Sequence, residues 1–397
     1  MTGTPLMAEF PAPEAGQVTL DNWRTPPYNR WAFQHVRELI PTANIWRGAG
    51  PTWELGRQPV DLMDIAFTDH TGAASDLRRF VASTQVDGLL VLHRGNVVTE
   101  RYYGGFTEHR PHILMSVSKS LTATLAGMFV ARGLLDPAEP VIDFMPEVKG
   151  SAFEDCTLQH ILDMTVGADF DEDYLANAGA ITEYREVSGW KPVTPETADG
   201  DLRSWLPSVK KKGDHGAAFH YVSPCTDLLG WILERVGGRP FHAMFSDMIW
   251  QPMGAEFDAY ITVDRLGGQR TAGGICVTLR DLARFGQMLL EGGHGNGRQI
   301  VPSAWIEDTV NNHDGAAWAA GEYAETMPAG GYRNKWWIIG NDHGAYTGIG
   351  VFGQWLYIDP KASTVIAVFS SQPLPTDDNV SLDSMRCFDA VARALGG

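Results

Sequence analysis

The chain of 397 residues is long enough to bury a large core, and its composition, 44% hydrophobic and 20% charged, is that of a globular protein. The formal net charge of −17 at pH 7 is unfavourable for binding nucleic acid or an anionic membrane surface. We therefore expect no nucleic-acid partner and no membrane partner. The charge favours a small-molecule substrate that is cationic or neutral.

The first 16 residues lack the basic and apolar regions of a signal peptide, and no apolar run approaches membrane-spanning length. These features predict a cytoplasmic protein, in which four scattered cysteines (Cys156, Cys225, Cys276 and Cys387) are reduced core residues. No histidine pair has metal-ligand spacing, and no glycine-rich phosphate loop is present, so we expect no metal and no cofactor.

The first clear elements in the chain are a β-hairpin and a helix. Residues 88–92 and 97–102 flank a turn that contains Gly95, which predicts two paired strands. A helix then opens at Ser116, and its residues 121–130 are apolar on nearly every face. Such a helix is expected at the centre of a domain rather than on its surface.

The middle of the chain, from about residue 136 to 263, has helical segments separated by long polar loops, with helices predicted at 157–165 and 226–235. The later chain returns to mixed structure. A capping signature at Thr278 predicts a helix, and strands are predicted at 335–339, 349–358 and 364–370, followed by a helix at 384–395.

This order of elements predicts an α+β fold in which helices flank an antiparallel sheet. The sheet domain would be discontinuous, formed by residues 1–135 and 264–397. Residues 136–263 would form a mostly helical inserted subdomain.

Ser116 and Lys119 form an S-x-x-K pattern at the start of the predicted central helix. Residues three apart are neighbours on a helix surface, so the hydroxyl and the amine can touch. Burial favours a neutral lysine, which can accept the serine proton and create a nucleophile. Two other matches, at Ser188 and Ser208, lack an apolar helix behind them. The alternative is a serine that only caps a core helix, with a nearby surface lysine.

Amide hydrolysis also needs a proton donor for the departing amine and two backbone N–H groups for the oxyanion. Tyr221, in a Tyr-Val-Ser sequence, and Tyr332, in Tyr-Arg-Asn, are both candidate donors, and spacing does not choose between them. The N–H groups would come from Ser116 and from the glycine-rich segment 347–353, unless those glycines only form a bulge or a sheet corner.

These motifs occur in the order seen in the serine hydrolases of β-lactamase/transpeptidase-like fold, which include class C β-lactamases and family VIII carboxylesterases. Over nearly the whole chain, the sequence resembles the 6-aminohexanoate-dimer hydrolases, which degrade nylon oligomers. The resemblance rests on unusual segments at residues 26–33, 114–120, 171–174, 188–190, 335–337 and 347–350.

The resemblance implies that Ser116, Lys119 and Tyr221 are the catalytic residues. It selects Tyr221 over Tyr332, because Tyr221 and Ser223 fall between the nucleophile and the glycine-rich segment. No metal and no cofactor are implied.

The resemblance also implies a substrate pocket. Tyr174, on a mobile loop, would contact the substrate amide, and Trp190 and Trp337 would line the pocket. Val351 would provide the second oxyanion N–H, to within one or two residues of register, and Ser223 would lie beside the substrate.

One segment departs from the related β-lactamases, which carry a Lys-Thr-Gly or His-Thr-Gly sequence on a late strand. Here that position reads Gly348-Ile349-Gly350, which has no cation to hold a substrate carboxylate. This difference argues against β-lactam hydrolysis.

We therefore expect a serine hydrolase that cleaves short linear amides, similar to 6-aminohexanoate dimer, and carboxylic esters through an acyl-enzyme. One alternative is a carboxylesterase with negligible amidase activity, against which the loop 171–174 argues, since it suits an amide and an ammonium group. Another alternative is a catalytically silent module that binds penicillin or peptide. The oligomeric state is open, with a homodimer among the candidates.

Overall fold

The computed structural model describes residues 5–396. Its helices are α1 (Tyr28–Ala32), α2 (Leu77–Ser83), α3 (Val117–Val130), α4 (Val141–Phe144), α5 (Leu158–Asp163), α6 (Ala180–Val187), α7 (Leu202–Trp205), α8 (Pro224–Gly237), α9 (Phe241–Phe245), α10 (Gln251–Met253), α11 (Leu279–Leu290), α12 (Ser303–Asn311), α13 (Gly315–Ala319) and α14 (Asp378–Gly396). Its strands are β1 (Thr42–Ile45), β2 (Gly56–Arg57), β3 (Ala66–Thr68), β4 (Ala74–Asp76), β5 (Val86–His93), β6 (Asn96–Tyr102), β7 (His112–Ile113), β8 (Ala259–Thr262), β9 (Ile275–Val277), β10 (His294–Gly295), β11 (Arg298–Gln299), β12 (Gly331–Arg333), β13 (Trp336–Ile338), β14 (Tyr346–Gly350), β15 (Gln354–Asp359) and β16 (Thr364–Ser370).

The main sheet has eight strands in the order β12-β13-β14-β15-β16-β5-β6-β2, and all neighbours are antiparallel except β2 and β6. The predicted hairpin is present as β5 and β6, and the predicted strand 364–370 is β16. Helices α11 and α14 pack on β16, and α3 packs on β14. Every residue of β15 and β16 is buried, which explains why these strands lack polar alternation. The prediction of an antiparallel sheet flanked by helices is confirmed.

The predicted single strand 349–358 is wrong, because the chain reverses there and forms the hairpin of β14 and β15. Phe352 and Gly353 both have positive φ values, +64° and +86°, which turn the chain sharply between the strands. Val351 therefore lies in a turn at the end of β14. The last helix also begins earlier than predicted, at Asp378, since the side chain of Asp377 accepts hydrogen bonds from the N–H groups of the first turn.

Helix α3 occupies the centre of the molecule, as its apolar sequence predicts, and every residue from Val117 to Phe129 is buried. The glycines of β14 permit its close approach to the sheet. A Cβ atom on Gly350 would lie 2.6 Å from the carbonyl oxygen of Leu114, and one on Gly348 would lie 3.1 Å from Ser120 Oγ. The glycines therefore bring β14 against the residues around Ser116.

Residues 136–258 contain helices α4 to α10 and no strand longer than an isolated bridge. Strand β8 follows within the predicted insertion and joins a second sheet, of order β1-β8-β9-β7. The division into a sheet domain and an inserted helical subdomain stays a prediction. The four cysteines are buried and unpaired, as predicted.

Within residues 5–396, none of the helices is both long enough and apolar enough to cross a membrane. The predicted cytoplasmic location stays a prediction.

Candidate active site

Ser116 lies at the N-terminus of α3, directly after a sharp turn. Met115 has a φ of +46°, an uncommon value for a residue with a side chain, and the N–H of Leu114 is held by the carbonyl of Ile275 at 2.8 Å. The Ser116 side chain makes no capping hydrogen bond to the helix. Its hydroxyl therefore does not play the capping role that was the alternative for this serine.

Lys119 lies one turn along α3, with its Nζ atom 2.7 Å from Ser116 Oγ and 2.8 Å from the carbonyl oxygen of Ala272. The side chain is fully buried. Burial lowers the pKa of Lys119 to about 7, although the charges of Glu172 and Asp227 oppose that change. A large fraction of this amine is therefore neutral at neutral pH, and it lies within hydrogen-bond distance of the serine hydroxyl.

Tyr221 also lies close to Ser116 and Lys119. Its ring centroid is 5.0 Å from Lys119 Nζ, and its ring stacks on Trp337 with the centroids 5.6 Å apart. Burial raises the pKa of Tyr221 well above 10, with a further increase from the charge of Glu172, while the nearby Ser116 hydroxyl acts in the opposite direction. The phenol therefore keeps its proton at neutral pH and can donate it.

The other candidate tyrosine, Tyr332, is buried behind Trp337, with its ring centroid 6.4 Å from that of Tyr221. Tyr332 does not line the cleft around Ser116 in the part of the chain that the structure describes. This arrangement agrees with the choice of Tyr221 that the resemblance makes.

Two backbone N–H groups beside the serine have no acceptor among the described residues, those of Ser116 and Val351. The residue that follows each of them is engaged, since Val117 donates to the carbonyl of Leu114 and Phe352 donates to that of Pro375. Ser116 and Val351 both line the same cleft. The two amides thus have the chemistry that an oxyanion hole requires.

The cleft has two chambers that share Ser116, Tyr174, Val351 and Pro375 in their walls. The first chamber is called here the aromatic chamber, because Tyr221, Tyr323 and Trp337 line it. Its volume is about 790 Å³, including space open to solvent. The second chamber measures about 520 Å³ on the same basis and is called here the arginine chamber; it is lined by Lys119, Trp190, Ser223, Arg24, Arg185 and Arg270, among others. Ser116 is thus exposed to both chambers.

Glu172 is a site residue that the sequence did not single out. Its carboxylate accepts hydrogen bonds from the N–H of Ser223 at 2.7 Å, from the Ser223 hydroxyl, and from the Tyr174 hydroxyl at 3.0 Å. Asp171 and Asp173, its neighbours in the chain, are exposed and line neither chamber. The acidic loop 171–174 therefore holds Tyr174 and Ser223 at the cleft instead of offering a free carboxylate.

Asp227 is the second residue that the sequence missed. One of its oxygens accepts a hydrogen bond from the N–H of Ala272 at 2.8 Å, and the other contacts Arg270 and the Tyr184 hydroxyl. The Ala272 carbonyl in turn holds Lys119. No local pattern could have revealed this link, because α8, the segment before β9 and α3 contribute one residue each.

Comparison with known proteins decides the family. The sequence model of the β-lactamase family matches residues 73–386. The chain belongs to the β-lactamase family. The fold class predicted from the motifs, β-lactamase/transpeptidase-like, is thereby confirmed.

Individual relatives show which members of this family the chain resembles. The chain is 36% identical to a 6-aminohexanoate-dimer hydrolase of Paenarthrobacter ureafaciens over 392 residues, 97% of each chain. A Bacillus anthracis structure assigned as a 6-aminohexanoate-dimer hydrolase superposes with a TM-score of 0.87 at 30% identity, covering 96% of this chain and 98% of that one. Esterase EstB of Burkholderia gladioli is 27% identical over 155 residues, 38% of each chain. The predicted resemblance to the dimer hydrolases is confirmed.

All eight predicted site residues of this β-lactamase-family chain lie at one cleft: Ser116, Lys119, Tyr174, Trp190, Tyr221, Ser223, Trp337 and Val351. Trp337 lines the aromatic chamber and Trp190 lines the arginine chamber. Their functional roles stay predictions. No group of three or more histidine, cysteine or acidic side chains suitable for a metal ion occurs within residues 5–396.

Proposed function

We propose that this chain is an S-x-x-K serine hydrolase that cleaves short linear amides and carboxylic esters through an acyl-enzyme. The contact of 2.7 Å between Ser116 Oγ and the buried amine of Lys119 carries the proposal. The relatives support it, because one is a 6-aminohexanoate-dimer hydrolase and another is an esterase.

Acylation begins when the neutral amine of Lys119 takes the hydroxyl proton of Ser116. The resulting alkoxide attacks the substrate carbonyl carbon, and the tetrahedral oxyanion accepts hydrogen bonds from the N–H groups of Ser116 and Val351. The positive end of α3 adds to this stabilisation, because Ser116 lies at its N-terminus.

Breakdown of the tetrahedral intermediate requires a proton on the leaving nitrogen, because an amide anion is a poor leaving group. Tyr221 donates its phenolic proton to that nitrogen, and the Lys119 ammonium returns a proton to Tyr221. Water then attacks the acyl-enzyme and gives one proton to the same pair of residues. The pair returns that proton to Ser116 Oγ as the ester bond breaks, and the acyl part leaves as a carboxylic acid. Ester hydrolysis follows the same steps, with an alcohol as leaving group.

The experiment compares amide and ester turnover by the purified protein, with 6-aminohexanoate dimer and p-nitrophenyl acetate as substrates. We expect both to be hydrolysed, and Ser116→Ala to lose both activities. Ester turnover without amide turnover would favour a plain carboxylesterase.

A second measurement separates the enzyme from a silent binding module of the same fold. Mass spectrometry after mixing with a slow ester should show an acyl adduct that forms on Ser116 and disappears with time. A stable adduct without turnover would identify the silent module, and unchanged hydrolysis by Ser116→Ala would overturn the proposed site.

A further inference from the structure

Three guanidinium groups face the arginine chamber, although the whole chain carries a formal net charge of −17. Arg24 comes from the segment before α1, Arg185 from α6, and Arg270 from the segment before β9. Arg270 lies between two aromatic rings, with its Cζ atom 4.1 Å from the Tyr184 centroid and 4.9 Å from the Trp190 centroid. The local charge of this chamber is therefore opposite to that of the protein.

The protein's own carboxylates leave this positive charge incompletely neutralised. Arg270 contacts Asp227, but its Nε atom is buried without an acceptor within residues 5–396. Arg185 donates to the backbone carbonyls of Tyr174 and Ala176, each at 3.0 Å, and forms no ion pair with a described residue. In the described part of the chain, Arg24 has neither a hydrogen bond nor an ion pair through its side chain.

Arg24 therefore carries an energetically unfavourable charge. Burial, together with the nearby charges of Arg185 and Arg270, lowers the pKa of Arg24 to about 9. Arg24 is half-buried, and a ligand carboxylate would stabilise a partly desolvated guanidinium that lacks a partner through charge-assisted hydrogen bonds.

The aromatic chamber has the opposite character. Asp377 and Asp378 lie in its wall, and its described lining contains neither lysine nor arginine. Tyr221, the proposed proton donor to the leaving group, also lies in that wall. The leaving group therefore occupies the aromatic chamber, and the acyl part of the substrate extends from Ser116 into the arginine chamber.

We propose that the arginine chamber binds a carboxylate at the far end of the acyl part of the substrate. The preferred substrates are then amides and esters of short dicarboxylic acids in which the second carboxylate is free. Hydrolysis adds water across the scissile C–N or C–O bond and yields the dicarboxylate with an amine or an alcohol. This assignment rests on the proposed function, because the acyl part is placed by the roles of Ser116 and Tyr221.

The same charges make 6-aminohexanoate dimer, whose acyl half ends in an ammonium group, a slower substrate than an amide whose acyl part ends in a carboxylate, without excluding its hydrolysis. Of the carboxylates near the chamber, Glu172 is occupied by Ser223 and Tyr174, and Asp227 is occupied by Arg270 and Ala272. An ammonium group in the chamber would therefore meet arginines and no free carboxylate. An acyl chain that ends in a carboxylate would enter the chamber that Arg24, Arg185 and Arg270 line.

The first arm of the test compares kcat/KM for p-nitrophenyl esters of hexanoic, 6-aminohexanoic and hexanedioic acids, which share one leaving group. We expect the hexanedioic monoester to exceed the hexanoic ester at least about tenfold, a factor that one charge-assisted hydrogen bond supplies, and the 6-aminohexanoic ester to be the slowest. Arg24→Gln should reduce the ratio between the hexanedioic and hexanoic esters to about one. Arg298→Gln, which removes an exposed arginine on β11, should leave that ratio unchanged.

The second arm measures binding without turnover, by titration calorimetry with hexanoate, 1-hexanol and hexylammonium at low ionic strength. We expect hexanoate to bind at least about tenfold more tightly than 1-hexanol, Arg24→Gln to remove the difference, and Arg24→Lys to retain part of it. Circular dichroism melting curves verify that each variant is folded, and Arg24→Lys replaces Arg24→Gln in both arms if the latter unfolds.

The outcomes separate the two proposals. If hexanoate binds no more tightly than 1-hexanol, or if a folded Arg24 variant binds it as the wild type does, the carboxylate site is overturned. Equal, Ser116-dependent turnover of all three esters overturns the carboxylate site and leaves the serine hydrolase intact. Arg24-dependent binding without Ser116-dependent hydrolysis supports the carboxylate site and overturns the proposed function.

Discussion

The carbonyl oxygen of Ala272 accepts a hydrogen bond from Lys119 Nζ at 2.8 Å, and this contact orients the amine toward Ser116. A neutral amine has two hydrogens and one lone pair. In the structure Nζ also donates to Ser116 Oγ at 2.7 Å, and at this distance the lone pair of the neutral amine can take the hydroxyl proton. Asp227 holds Ala272 in place through the N–H of that residue. The backbone at Ala272 therefore positions the Lys119 amine beside the Ser116 hydroxyl.

The pH dependence of kcat/KM should report the proton on Lys119. Burial lowers its pKa from the usual 10.5 to about 7, so the amine is protonated and inactive as a base below pH 7 and neutral above it. We expect kcat/KM for a neutral ester to rise with pH through about 7 and then stay level, since the pKa of Tyr221 lies well above 10. Initial rates between pH 5.5 and 9, corrected for spontaneous hydrolysis, test this expectation. A flat profile would contradict it.

Ser116→Ala should abolish hydrolysis without destabilising the protein. We expect kcat to fall by about a thousandfold or more, because the nucleophile is lost. The melting temperature should change little, because the Ser116 side chain makes no capping hydrogen bond to α3. Ser208→Ala, at an exposed S-x-x-K match outside the cleft, is the matched control and should retain full activity. A large drop in melting temperature for Ser116→Ala would indicate the helix-capping role instead.

Tyr221→Phe should separate amide from ester hydrolysis. Loss of the phenolic proton should lower kcat for an anilide by about a hundredfold or more, whereas a p-nitrophenyl ester should lose much less, because its leaving group departs without protonation. Tyr332→Phe is the control, since this buried tyrosine lies outside the cleft. Equal losses of anilide and ester turnover in Tyr221→Phe would rule out the division of roles proposed here.

Gly350→Ala should damage the oxyanion site. The added Cβ would lie 2.6 Å from the Leu114 carbonyl oxygen, so β14 must move away from the turn that holds Ser116. We expect kcat to fall by about a hundredfold, as when one oxyanion donor is lost, with a smaller change in KM. Gly348→Ala provides the comparison and should lose less activity, because its added Cβ would contact side-chain atoms only, Ser120 Oγ at 3.1 Å and Val117 Cγ1 at 3.2 Å. If both variants kept the wild-type kcat, Val351 would not be an oxyanion donor.

Local sequence patterns were sufficient to predict several elements of this fold. The hairpin of β5 and β6, the buried helix α3 and the capped start of α11 at Thr278 all follow from residues close together in the chain. The contact of Ser116 with Lys119 also follows, because helix geometry places residues three apart on the same surface.

The turn at Val351 shows where local patterns fail. The run 349–358 is apolar enough for one long strand, and the reversal depends on two residues with positive φ, one of which is Phe352 rather than glycine. Sequence statistics favour an extended conformation for phenylalanine. The contacts of β14 with β15 and α3 override that preference.

The sequence by itself was sufficient to propose Ser116 as the nucleophile and Lys119 as its base, because their contact depends on spacing within one helix. Only the tertiary structure decided the charge of the pocket. A net charge of −17 favours a cationic or neutral substrate, yet Arg24, Arg185 and Arg270, which are far apart in the chain, meet in one chamber beside Ser116. Electrostatic interactions depend on distance in space and on burial, and neither quantity can be read from the chain before it folds.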